Sequence, residues 1–208
     1  MRNRNSHRHI HFYGYIFLFF LFFAIAGGTG CDELNEVDIP WSEADPIAPR
    51  FTDMEDGTVQ DLDTGLFWLK DANAFGALSW DDAMDEVATL GDGDHGLEDG
   101  SVAGDWRLPT VEEWEEFVDR SYERPPVSNS SRKKQWSEDD PFTGIQTEPS
   151  PGSDIKKIAG AYYWSSEEES DGVAWACYMG GYGSLMANAD IMNAPQYVWP
   201  VRGGDDGN

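Results

Sequence analysis

Apolar and polar positions change period several times along the chain. Residues 51–53 and 58–59 are extended in character and flank Asp56-Gly57, a dipeptide suited to the positive φ angles of a tight hairpin turn. Thr64-Gly65 marks a second turn before the apolar run Leu66-Phe67-Trp68-Leu69. The period then becomes helical. Trp80, Ala83, Met84, Val87 and Leu90 share one face of a predicted helix over 79–90, with Ser79 and Asp82 spaced as a capping box and Gly91 as its stop. A Gly- and Asp-rich loop follows over 91–104. A second helix starts at Thr110, with Glu113 completing a capping box, Pro109 placed to staple onto Trp114, and Val111, Trp114, Phe117 and Val118 as its apolar stripe. Residues 123–160 read as a long polar surface insertion, in which a basic triplet (132–134) and an acidic triplet (138–140) suggest a loop that folds on itself. Strands are predicted over 162–165, 173–179, 182–186 and 197–201, with Gly180-Gly181 as a turn. The pattern is that of an α+β domain over 50–204. Trp106, Trp114 and Trp164 are expected in its core, and 205–208 form an acidic tail read as disordered.

The first fifty residues have a different character. Arg2, Arg4 and Arg8 precede an apolar run from Phe12 to Gly28, and small residues follow up to Cys31. A basic start, an apolar stretch and small residues make an export signal over 1–30. Small residues directly before Cys31 resemble a bacterial lipobox, although Gly28 stands where an aliphatic residue is usual. This resemblance implies cleavage before Cys31 and lipidation of its thiol. The membrane partner is then reached through a lipid anchor, and the protein belongs to the bacterial cell envelope, at the outer membrane or cell surface. Residues 31–49 hold six acids, no base, and Pro40, Pro46 and Pro49, which suits a solvated tether spanning roughly 25 Å.

Charge narrows the partners. The formal charge is −25, and removing the first thirty residues, which carry three Arg and no acid, takes it to −28. Nucleic acid and anionic lipid surfaces both demand a positive face and are excluded as partners. With Cys31 lipidated, Cys177 has no disulfide partner, and its alternating apolar neighbourhood makes it a buried small residue. The only His after the leader is His95, and there is no GxSxG motif, so a Ser or Cys nucleophile lacks its usual base and no enzyme is expected. Adjacent Glu112, Glu113, Glu115 and Glu116 are accounted for by the helix dipole rather than by a paired-carboxylate site. In the acidic loop, Asp92, Asp94, Glu98 and Asp99 are the candidate calcium ligands, since calcium takes clustered oxygens on flexible loops. A solvated loop without any cofactor is the competing reading.

One order of motifs is specific. FTDMEDGTVQDLDTGLFWLKDA (51–72), a Trp-led helix, GDWRLPTVEEWEEFVD (104–119), YYWSS (162–166), AW (174–175) and VWPVRGG (198–204) together resemble the bacterial domain of unknown function 1566, which is similar to the C-terminal domain of the collagen-like adhesin of Legionella. The resemblance covers most of 51–204. It implies a C-type-lectin-like fold, two helices on short antiparallel sheets with long loops, on exported proteins that are often lipoproteins. It implies no agreed catalytic activity. In the adhesin the domain is linked to sulfated glycans, a role that −28 charges oppose. The copper enzymes of the same superfamily need a Cys pair, which this chain lacks, and the EPN and WND motifs of calcium-dependent sugar binding are missing. Arg107 and Arg202, within the motifs, are expected to make structural ion pairs. The expected function is a lipid-anchored, non-catalytic binding module for a glycan or a protein, with Tyr163, Trp164 and Tyr182 as the aromatics that stack on the ligand. Trp164 thus falls in both the core and the site expectations. The alternative is an envelope scaffold without a dedicated ligand.

Overall fold

The structure is a computed structural model that describes residues 48–151, 160–187 and 194–203. The leader, Cys31, the tether up to residue 47, positions 152–159 of the insertion, and the tail lie outside the described residues. Among the described residues the two expected helices stand with ten short strands, so the domain is α+β. β1 (Phe51–Asp53) and β2 (Thr58–Asp61) form the expected antiparallel hairpin. Its turn is set by Asp56, whose Oδ1 accepts from the Thr58 amide at 3.0 Å and from the Thr58 hydroxyl at 2.6 Å. Glu55 (φ 62°) and Gly57 (φ 87°) supply the left-handed backbone. β3 (Phe67–Leu69) joins β2, and the first sheet runs β1-β2-β3-β10-β5, with β5 at Trp106–Arg107 and β10 at Val201–Arg202.

The second sheet runs β4-β9-β6-β7-β8, built from Ala77–Leu78, Gln196–Tyr197, Tyr162–Ser170, Val173–Tyr178 and Ser184–Met186 in that order. Here the sequence expectation needs correction. The single strand predicted over 197–201 is two strands in different sheets: Tyr197 pairs with Ala77 and Tyr163, whereas Val201 pairs with Trp68 and Arg107. Pairing in the second sheet ends at Tyr197, and the chain crosses over residues 198–200: Pro200 has no N–H to give, while its carbonyl already accepts from the Leu69 amide of the first sheet at 3.1 Å. Trp199, fully buried at the crossing, donates its indole N–H to the Leu69 carbonyl at 2.7 Å and ties the sheets together. The first of the predicted β strands in this sheet is also longer than expected: β6 runs on through exposed Glu167, Glu168 and Glu169 with irregular register.

α1 (Trp80–Ala88) begins at Ser79, whose side chain accepts from the Asp82 amide. It ends before Gly91, because Thr89 caps it, donating both its amide and its hydroxyl to the Glu86 carbonyl. Ala83, Val87 and Leu90 are buried as the period required, but Met84 stays exposed on the margin of the stripe. α2 (Val111–Phe117) carries the complete capping box of Thr110 and Glu113. The Glu113 carboxylate also takes both terminal nitrogens of Arg107, at 2.6 and 2.7 Å, so one side chain caps the helix and fixes β5 beside it.

Trp68, Trp114, Phe117 and Trp199 form the centre of the core, with ring centroids 4.1–6.1 Å apart. The Trp68 indole N–H is buried among these rings without an oxygen or nitrogen acceptor. The segment expected as a polar surface insertion contributes to this core, a second correction. Phe142 packs edge-on against Trp199 (5.0 Å, 89°) and Phe51 (5.1 Å, 71°), and Val127 and Ile145 are also buried. The segment does fold on itself, through Asp140 accepting from Ser130 and Asn129. The basic triplet takes part through Lys134, whose charge helps hold the Asp140 carboxyl down and whose carbonyl accepts from the Asn129 amide at 2.8 Å, whereas Arg132 reaches out to Asp63 and the Ala48 carbonyl.

Candidate functional site

A polar cleft of about 310 Å³ opens between four backbone segments. Glu55 and Gly57 come from the β1–β2 turn, Lys70 and Asp71 from the end of β3, His95 and Gly96 from the acidic loop, and Thr143 from the inserted segment. The segments are pinned to one another through their backbones. The Glu98 amide donates to the Asp56 carbonyl at 2.8 Å, the Lys70 amide to Gly57 at 2.9 Å, the Thr143 amide to Lys70 at 3.0 Å and the Ala72 amide to Thr143 at 2.9 Å. Two glycines permit the close approach: a Cβ on Gly57 would sit 2.4 Å from the Gly96 oxygen, and one on Gly144 2.6 Å from Asp71 Oδ1. The walls are therefore preformed.

The acidic loop holds its own shape. Asp92 Oδ1 accepts from the Gly100 amide (2.9 Å), Asp94 Oδ2 from the Gly91 amide (3.2 Å), and Asp99 Oδ1 from the Ser101 amide and hydroxyl (3.1 and 2.7 Å). Leu97 plugs the loop into the core. The buried Asp99 side chain meets Arg202 Nε at 2.9 Å, a charge contact without the alignment of a hydrogen bond, and the Arg202 guanidinium lies 4.5 Å over the Phe67 ring. The candidate calcium ligands form no ready cluster here. Asp92, Asp94 and Asp99 spend oxygens on separate loop amides, Glu98 stays exposed, and no three metal-capable side chains gather among the described residues.

His95 stands at the meeting point of two clefts. It lines the one described above and a smaller one of about 140 Å³ with Phe75, Glu86, Thr89, Leu90 and Asp94. Its ring leans on that of Phe75 (centroids 4.5 Å apart, planes at 38°), and the residue is exposed. Lys70 Nζ lies 2.6 Å from Asp53 Oδ2. Burial raises the Asp53 carboxyl, but the Lys70 ammonium and the Glu55 amide outweigh it and hold the group below the usual carboxylate range. The Lys70 charge is thus matched by Asp53, leaving Glu55 and Asp71 as the negative groups of the cleft.

Two of the three aromatics expected to stack on a ligand are in the core, a further correction. Tyr163 is fully buried among Trp114, Tyr197 and Trp199, and its hydroxyl oxygen accepts from the Gln146 amide at 2.8 Å. Burial pushes its phenol far above the ordinary tyrosine range. Trp164 is fully buried and donates to the Leu78 carbonyl at 3.0 Å, as the core expectation for Trp106, Trp114 and Trp164 required. The cause is position: the apolar half of β6 runs between β9 and β7, in the interior of its sheet. Tyr182 is exposed (53 %) on the turn between β7 and β8, next to Glu123, and is not part of the cleft lining. Arg107 and Arg202 make ion pairs, with Glu113 and Asp99. Cys177 is fully buried, and desolvation pushes its thiol well up. Glu55, Lys70, Asp71, His95 and Thr143 are not among the sequence-predicted site residues. The signal the sequence offers is His95, a lone imidazole in a Gly-rich acidic loop.

These features define a two-sheet α+β domain that presents a preformed polar cleft on interlocked loops. The chain belongs to the family of the Lcl C-terminal domain, whose model matches residues 57–202. No curated protein matches the chain.

Proposed function

We propose that the chain is a lipid-anchored, non-catalytic binding module of the bacterial envelope, held at the outer membrane or cell surface through Cys31. It engages a glycan or a protein at the His95 cleft. The observation that carries the binding role is the mutual pinning of the cleft walls: four segments distant in sequence converge on one concavity that several polar and charged residues line. A concave site whose walls are already held in place leaves little ordering to oppose binding. The family's lectin-like loops support the same role. Absence of catalysis is supported by the core position of Cys177, whose raised thiol is a poor nucleophile. The anchor rests on the sequence before Cys31.

Two measurements test the reading. Cys31→Ala should abolish acylation and move the protein to the soluble fraction; unchanged membrane attachment would refute the anchor. A glycan and protein array probed with the full chain should give a hit that His95→Asn weakens. A blank array would favour the scaffold alternative.

A further inference from the structure

We infer that the ligand of the His95 cleft is an uncharged sugar ring, a pyranoside bearing hydroxyls but no sulfate, phosphate or carboxylate; this rests on the reading of that cleft as the binding site. Four observations converge on it. The cleft, about 310 Å³, lies at the small end of ordinary ligand sites, roughly 300–1,000 Å³, and so suits a ligand of mono- or disaccharide size. Its lining alternates groups that only accept (the Glu55 and Asp71 carboxylates), one that only donates (Lys70) and one that does both (Thr143). A hydroxyl both donates and accepts, so a ring of adjacent hydroxyls can satisfy such a mixed wall where a single charged group cannot. The electrostatics reject anions. The one fixed cation of the lining, Lys70, is already 2.6 Å from Asp53, and the carboxylates of Glu55 and Asp71 remain. An anionic sugar would face them without a free counter-charge. Finally, the His95 imidazole, backed by Phe75 at 4.5 Å, offers a flat surface for the C–H face of a pyranose, which is the part of a sugar that hydroxyl-binding groups leave unsatisfied.

The discriminating experiment probes a glycan array of uncharged, amino, carboxylated and sulfated sugars with the full chain in neutral detergent. Calorimetric titration of the hits follows, on the wild type, His95→Asn and Glu55→Gln. Asn tolerates the positive φ of position 95, 46°, so the ring is removed without new backbone strain. The expected result is an uncharged glycan hit, insensitive to added salt, that weakens about tenfold or more in both variants while their melting temperatures stay at the wild-type value. An uncharged hit whose affinity survives both substitutions would overturn the assignment, since the sugar would then bind elsewhere. Hits restricted to charged sugars or to a protein, and lost in the variants, would overturn the ligand class while leaving the cleft as the binding site. No hit of any class would overturn the binding-module reading with it.

Discussion

The Cα of Gly57 lies against the carbonyl of Gly96, so close that a Cβ there would stand 2.4 Å from the oxygen. This contact sets the distance between the β1–β2 turn and the acidic loop, and hence the width of the cleft. Gly57 also sits at φ 87°, where a side chain is strained. Gly57→Ala is therefore expected to cost at least the 1–3 kcal/mol typical of a strained backbone position. At about 2–4 °C per kcal/mol for a domain of this size, melting should fall by several degrees, readable by circular dichroism. Gly65→Ala, with positive φ but nothing within 4 Å of its Cβ, should fall less.

Among the described residues, Arg50 and Asp61 form the most buried ion pair. The guanidinium Nη2 lies 2.8 Å from Asp61 Oδ2, and the same side chain donates to the Glu116 and Phe117 carbonyls at 2.7 and 2.9 Å, closing the C-terminal end of α2. Removing one partner strands the other charge. Asp61→Ala should destabilise by about 3–5 kcal/mol in denaturant titration, and adding Arg50→Met should restore part of that loss. A double variant less stable than Asp61→Ala would contradict this account.

Acid should weaken the domain through several depressed carboxyls, Glu113 among them. Burial raises the Glu113 carboxyl, but Arg107 and the Thr110 N–H outweigh it, and the net shift is downward. A depressed carboxyl contributes stability that is complete above its unfolded value, about 4.3, and is lost as pH falls through the folded value. Asp63, held down by Arg132, and Asp53 and Asp140, where burial is outweighed by Lys70 and Ser130, shift the same way. Stability should thus decline below about pH 4.3, and Glu113→Gln should make the decline shallower. An identical slope in that variant would remove Glu113 from the explanation.

Calcium and magnesium should raise the melting temperature equally at equal ionic strength. The acidic loop turns three of its four candidate carboxylates onto its own amides, so both ions act only by screening a chain of formal charge −25. A calcium-specific shift that disappears in Asp92→Asn/Asp94→Asn would mean the loop rearranges to bind.

Local signals were legible wherever the cause was local. The Asp56-Gly57 turn, the Ser79 and Thr110 caps and the apolar stripes of both helices depend on neighbours a few positions apart, and each formed. The buried Trp106, Trp114 and Trp164 were legible too, since their elements carry apolar faces. What failed depended on partners far along the chain. The 197–201 run looked like one strand because alternation cannot reveal a change of sheet. Phe142 looked like part of a polar insertion because its partners, Phe51 and Trp199, are distant in sequence.

The candidate site belongs to the second kind. By itself the sequence determined an acidic α+β domain with two capped helices, an aromatic core and family motifs covering most of 51–204. Only the tertiary structure decided that Tyr163 and Trp164 are core residues, that Asp92, Asp94 and Asp99 accept from amides of their own loop, and that Glu55, Lys70, Asp71, His95 and Thr143 share one cleft. The physical reason is that helix caps and turns are fixed by hydrogen bonds a few residues apart, whereas a cleft exists only where separate segments are pressed together, here through the Gly57–Gly96 and Gly144–Asp71 approaches.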